Sequence, residues 1–272
     1  THFIYELLQN AEDAEASEVI FRLYQDRLEL EHNGRVFNED DVRGICGLVS
    51  GTKKGDLTKI GKFGIGFKSV YAHTRSPEIH SDEEHFTVRD YVRPHSIPPR
   101  SSKLGTLFVF PFNHGEKQPK ESFIEIGRRL QDLGIRTLLF LKQIDSISYE
   151  IGEETGDYLR GTEFDENSGF FRSVTVMGQS IHGDEEEHWF VFEKDITHLV
   201  KLEADIPDDR RLTVEIAFQY TAFDSHAMPI VEQLTQSHLT VYFPTEKETH
   251  LGFLLQGPYK TTPARDNIPQ FD

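Results

Sequence analysis

Three glycines, Gly61, Gly64 and Gly66, stand in a G-x-x-G-x-G frame in the stretch GKFGIGFKSV, immediately before residues able to form a helix. Bare backbone at a helix entrance suits an anion, because glycines let the chain approach a phosphate and the free N–H groups and helix dipole favour negative charge. The same glycines can equally make a tight turn or a packing contact. A second set of residues lies in ELLQNAED, positions 6–13. A carboxylate one turn from an amide on a helix can orient a water, while the neutral amide oxygen coordinates a magnesium ion between phosphates. Glu6 is then a base and Asn10 a metal ligand, with Asp13 holding a ribose or a water. The alternative is a solvated helix face that happens to bear these residue types.

The first helix, THFIYELLQNAEDAEA, places Phe3, Ile4, Leu7, Leu8, Ala11 and Ala14 on one apolar stripe. At about 100° per residue, Glu6, Asn10 and Asp13 form a second stripe bordering the first, so they are expected to be half buried, side by side. VIFRLYQ (19–25) and LELEH (28–32), split by Asp26-Arg27, predict a hairpin, and Asn38 before Glu39, Asp40 and Asp41 predicts a capped short helix through Cys46. LVSGTKKGDLTKIGKFG is rich in Gly, Lys, Ser and Thr and is expected to be a mobile loop. FKSVYAH continues a helix, EIHS, HFTVRD and TLFVFPF are strands, ESFIEIGRRLQDLG (121–134) is a helix, and DSISYEI begins another strand.

From about residue 141 strands dominate: FFRSVTVMG, EEHWFVFE, RRLTVEIAFQY, HLTVYFPT and HLGFLLQG, with GEETGD and HGDEEEH as polar hairpin tips. The expected fold class is α+β, an α/β sandwich over residues 1–142 followed by a β-rich domain over 143–272.

A chain of 272 residues with 37% hydrophobic content can bury a substantial core. Its net charge of -17, from 46 acidic and 29 basic residues, opposes a broad non-specific grip on nucleic acid. One cysteine, Cys46, excludes an internal disulfide and a cysteine-built metal site. That fits a reducing compartment, so the expected location is cytoplasmic or nuclear. No apolar run reaches transmembrane length. The chain begins at Thr1 and enters a helical pattern at once, as expected of a segment cut from a larger protein at both ends.

Taken together, ELLQNAEDA, His32-Asn33-Gly34, SGTKK, IGKFGIGFKSVY and Gly105-Thr106, in this order, resemble the GHKL ATPases, the superfamily of gyrase, heat-shock chaperone ATPases, histidine kinases and MutL. Within it the chain is similar to the sacsin-type N-terminal ATP-binding domain, a likeness that extends to FPTEKETHLGFLLQGPYKTTPARDNIP. The resemblance implies a Bergerat-type sandwich with a mixed, mainly antiparallel sheet and a transducer-like second domain. It also implies ATP and magnesium as cofactors, slow hydrolysis, lid closure and self-association on nucleotide binding, with a protein client of unknown identity.

Under that resemblance the backbone amides of Lys62, Phe63, Gly64, Ile65, Gly66 and Phe67, following Gly61, wrap the phosphates, with Lys62 and Lys68 adding charge. SGTKKGDLTK is the lid, offering Lys53, Lys54 or Lys59 to phosphate, although for any single one of them a solvated loop is the more favoured reading. Thr106 joins the nucleotide site. Arg265 reaches the γ-phosphate from the second domain, or sits in a surface turn. Most of the superfamily carries an aspartate where His32 stands, to accept the adenine amino group. Here a neutral His32 nitrogen or the Asn33 amide oxygen replaces that bond without its charge-assisted strength. Two other readings stand beside the ATPase: a pseudo-ATPase acting as an interaction platform, and a protein kinase of the same superfamily.

Overall fold

An apolar helical stripe followed by two alternating strands folds as a helix laid on a hairpin. The structure, a computed structural model, describes residues 3–47, 67–164, 171–200, 211–221 and 228–259. Helix α1 (Phe3–Asp13) precedes β1 (Glu18–Leu23) and β2 (Arg27–His32), paired antiparallel with Phe21 opposite Leu30. Leu7 and Leu8 of α1 share one core with Phe21, Leu28 and Leu30. Helix α2 (Glu39–Ile45) starts as its sequence dictates: Asn38 Oδ1 accepts the N–H groups of Asp40 (2.9 Å) and Asp41 (3.1 Å), and Asp41 accepts that of Asn38 (3.0 Å).

The stretch from Phe67 to Ala72 is a 3-10 helix rather than an α-helix. Its buried Phe67 and Val70 are three residues apart, the period of that tighter turn. Then come β3 (Glu78–Ser81), β4 (Glu84–Arg89), β5 (Arg93–Ser96), β6 (Thr106–Pro111) and α3 (Pro119–Gln131). Strand β5 carries no hydrophobic alternation, since all four residues are exposed; it is the outermost strand, where Pro94 is tolerated.

The remaining strands are β7 (Ser146–Ile151), β8 (Glu154–Phe164), β9 (Phe171–Ser180), β10 (Gly183–Asp195), β11 (Thr213–Thr221), β12 (Ile230–Val231), β13 (His238–Val241), β14 (Phe243–Glu248) and β15 (Leu254–Gln256). HLTVYFPT is therefore two strands and not one. Tyr242 adopts φ 64 and reverses the chain, setting Val241 opposite Phe243. GEETGD turns at Gly152, φ 65, and is already strand by Glu154.

Among the described residues these strands form one sheet in the order β14-β13-β15-β11-β10-β9-β8-β7-β1-β2-β6-β3-β4-β5, with β12 on β11. Neighbours are antiparallel except β1 with β7 and β13 with β15. The α+β class with a mixed, mainly antiparallel sheet is what the structure has. On β2, Leu28, Leu30 and His32 alternate with Glu29 and Glu31, yet both glutamates are buried. Residues 97–105 explain this: Arg100 Nη2 donates to Glu29 (2.7 Å), while Ser102 Oγ and the Lys103 N–H donate to Glu31 (2.8 Å each). Burial pushes the Glu31 carboxyl up, but these donors and Arg22 more than offset it and hold it below its ordinary range.

Candidate functional site

Helix α1 presents Glu6 and Asn10 one turn apart, each 6% exposed, and Asp13 half-buried at its last residue. Both are deeper than the half-buried expectation. A carboxylate and an amide held so far from solvent, on the edge of an apolar stripe, are not a solvated face.

The chain returns to the end of α1 at residues 32–35. The Arg35 N–H donates to the Ala14 carbonyl at 2.7 Å, and a Cβ on Gly34 would lie 2.6 Å from that same oxygen, so only glycine fits. Asn33 is consumed by this junction. Its Oδ1 accepts the backbone N–H groups of Ser17 (2.9 Å) and Glu18 (3.0 Å), and its Nδ2 donates to Ser17 Oγ (2.8 Å). Both lone pairs of the oxygen are engaged.

His32 is 2% exposed, and burial lowers its pKa to about 4, so the ring is neutral near pH 7. Its Nδ1 accepts the Gly34 N–H at 3.1 Å. A neutral imidazole accepting at Nδ1 carries its proton on Nε2, which assigns the tautomer from the hydrogen bond. In this arrangement the Asn33 oxygen is saturated, and what His32 retains is a donor.

Across the sheet, His32 pairs with Thr106 of β6 and Thr106 pairs with Ser81 of β3, so three polar residues line up at one level. Thr106 is fully buried, its Oγ1 2.6 Å from Ser81 Oγ, and Ser81 Oγ also accepts the Phe37 N–H at 3.0 Å. Gly105 before it adopts φ 114. The Phe67 side chain belongs to the core, 6.2 Å from the Phe108 ring and 6.3 Å from that of Phe110, leaving only its backbone for a ligand. Lys68 is exposed.

The glycine frame, with Gly61, Lys62, Phe63, Gly64, Ile65 and Gly66, lies outside the described residues, as do Lys53 of the lid and Arg265. Among the described residues no group of three or more His, Cys, Asp and Glu is arranged to hold a metal. A hard cation there would depend on a neutral oxygen such as that of Asn10, together with phosphates and water, which the buried amide suits. Sequence reasoning did not single out Ser81 or Glu12. Glu12 was marked in the sequence, because it lies about 40° from Leu8 on the apolar stripe of α1, where a carboxylate demands a partner.

Residues 25–103 match the Sacsin domain. The chain is 39% identical to human sacsin over 102 residues, 31% of this chain. It is 26% identical to the protein NO VEIN of Arabidopsis thaliana over 301 residues, 99% of this chain. The chain spans 10% of the length of NO VEIN and 2% of that of sacsin. Among solved structures, the N-terminal domain of a DNA repair protein superposes with a TM-score of 0.51 at 12% identity, covering 98% of this chain and 87% of that one, and shares the fold. The ATPase domain of the mismatch repair endonuclease MutL from Aquifex aeolicus superposes less closely, with a TM-score of 0.38 at 10% identity over 95% of this chain and 89% of that one. No described helix is long and apolar enough to cross a membrane.

Proposed function

We propose that this sacsin-like chain is a nucleotide-binding unit of a larger protein, taking ATP with magnesium at α1 and hydrolysing it slowly. The observation that carries the reading is the pair Glu6 and Asn10, a carboxylate and an amide one turn apart and each 6% exposed. Glu6 orients the attacking water and Asn10 supplies the protein's oxygen to magnesium. The glycine frame Gly61-x-x-Gly64-x-Gly66 cradles the phosphates, residues 50–59 close over them as a lid, and Arg265 meets the γ-phosphate. Closure and self-association turn hydrolysis into conformational change. The division near residue 142 separates the nucleotide unit from a transducer-like part.

The test is a calorimetric titration with ATP, with and without magnesium, beside a steady-state phosphate-release assay. Glu6→Ala is expected to cut turnover roughly 100-fold or more with affinity nearly unchanged, the usual size of a general-base contribution. Asn10→Ala is expected to weaken binding and remove its magnesium dependence. Equal turnover in wild type and Glu6→Ala overturns the ATPase. The saturated Asn33 oxygen and the donor left on His32 favour one second reading, a pseudo-ATPase that serves as an interaction platform. It predicts nucleotide binding without turnover.

A further inference from the structure

Helix α1 carries the proposed chemistry along one edge and grips the β-rich part of the chain along another. Near its C-terminal end the Glu12 carboxylate accepts three backbone N–H groups: Oε1 takes those of Lys142 (2.6 Å) and Gln143 (3.0 Å), and Oε2 that of Ile144 (2.9 Å). Near its other end the Tyr5 ring stacks on Phe243 of β14, centroids 4.7 Å apart and planes at 22°. Phe243 follows Tyr242, the residue whose positive φ reverses the chain between β13 and β14. From Lys142 the connection continues: its ammonium pairs with Glu193 of β10 (2.5 Å) and with Glu215 of β11. Arg172 of β9 closes the set on Glu215 (3.1 Å) and Glu193 (3.4 Å). Two cations and two carboxyl groups meet around the fully buried Glu215, whose carboxyl burial pushes up although Lys142 and Arg172 act against it. A helix clamped at both ends in this way cannot shift without disturbing the β13–β14 turn and residues 142–144.

We propose that Glu12 and Tyr5 are positioning residues, making the alignment of Glu6 and Asn10 depend on the packing of the β13–β14 turn and of residues 142–144. Nucleotide at α1 and order in the β-rich strands then stabilise each other, because a coupling free energy acts equally in both directions. The inference rests on the nucleotide reading for its ligand, and on the clamp alone for the mechanical link.

Hydrogen exchange followed by mass spectrometry on the whole chain tests both. Without nucleotide, Phe243→Ala is expected to speed exchange of the α1 amides about tenfold while α3 keeps wild-type rates. Unchanged α1 rates, or an equal rise in α1 and α3, overturn the link. With Mg-ATP, exchange at residues 142–147 and 238–248 is expected to slow in the wild type and in Tyr5→Phe, which keeps the ring stack. In Tyr5→Leu the protection at 238–248 is expected to be lost and the ATP dissociation constant to rise. Bound ATP that leaves 238–248 unprotected, or Tyr5→Leu that behaves as Tyr5→Phe, also overturns the proposal. Absence of ATP binding defeats the nucleotide reading instead, and the nucleotide-free comparison then decides the link.

Discussion

Glu12 holds Ile144 across 132 positions of sequence, its Oε2 accepting that residue's backbone N–H at 2.9 Å. With Lys142 and Gln143 on the other oxygen, one carboxylate satisfies three consecutive amides where the chain leaves α3 for β7. Removing it strands those donors. Glu12→Ala is expected to cost about 2–4 kcal/mol in urea unfolding, and Glu12→Gln less, because its amide oxygen still accepts while its NH₂ opposes one N–H. A Glu12→Gln midpoint equal to wild type shows that the carboxylate is dispensable.

Much of this arrangement was legible in the sequence. The α1 stripe, the 19–32 hairpin and the Asn38 cap were read from periodicity and capping chemistry, which are local, and the structure has all three. What the sequence did not disclose is non-local. The burial of Glu29 and Glu31 is set by residues 97–105, about 70 positions away, which the alternation of LELEH does not reveal. HLTVYFPT read as one strand because nothing in its pattern announces a positive φ at Tyr242. The base-reading role given to Asn33 depended on a free oxygen, and only the fold shows Ser17 and Glu18 already donating to it.

His32 should behave as a neutral, buried donor. Its folded pKa of about 4 lies below the unfolded value near 6.5, so between those limits the unfolded chain binds the proton and the native one does not. Stability from this residue is therefore fully present above about pH 6.5 and is lost as pH falls towards 4, about 3 kcal/mol in all. His73 and His80, also lowered to about 4 chiefly by burial, act with the same sign. Nitrogen-15 imidazole spectra are expected to show His32 as the Nε2–H tautomer with no titration between pH 8 and 5. A midpoint near 6.5 contradicts the burial.

Two glycines of the candidate site resist substitution for different reasons. At Gly34 the obstacle is contact, since an added Cβ meets the Ala14 carbonyl oxygen at 2.6 Å and Ala16 N at 3.0 Å, both backbone. At Gly105 nothing lies within 4 Å of that position, but φ is 114. Gly34→Ala is expected to cost about 2–3 kcal/mol by overpacking and to release the end of α1, and Gly105→Ala about 1–3 kcal/mol by backbone strain alone. Thermal melts measure the loss. Exchange of the Arg35 amide, which donates to Ala14, separates the two: it should rise in Gly34→Ala and stay near wild type in Gly105→Ala.

With the Asn33 oxygen saturated and His32 Nδ1 bound to the Gly34 N–H, the group left on His32 is an Nε2–H donor. A donor pairs with a ring nitrogen or a keto oxygen and gains nothing from the adenine amino group. ATP and GTP are therefore expected to bind within about tenfold of each other, since the charge-assisted bond that separates them, worth on the order of 1–3 kcal/mol, is missing. His32→Asp restores an ionised acceptor that can still take the Gly34 N–H, and it should raise the ATP over GTP ratio at least about tenfold. Competition calorimetry on both proteins measures the ratio, with urea unfolding to confirm that the variant is folded. A wild type that prefers ATP strongly, or a folded His32→Asp variant with an unchanged ratio, means that the base is read elsewhere and removes His32 from the site.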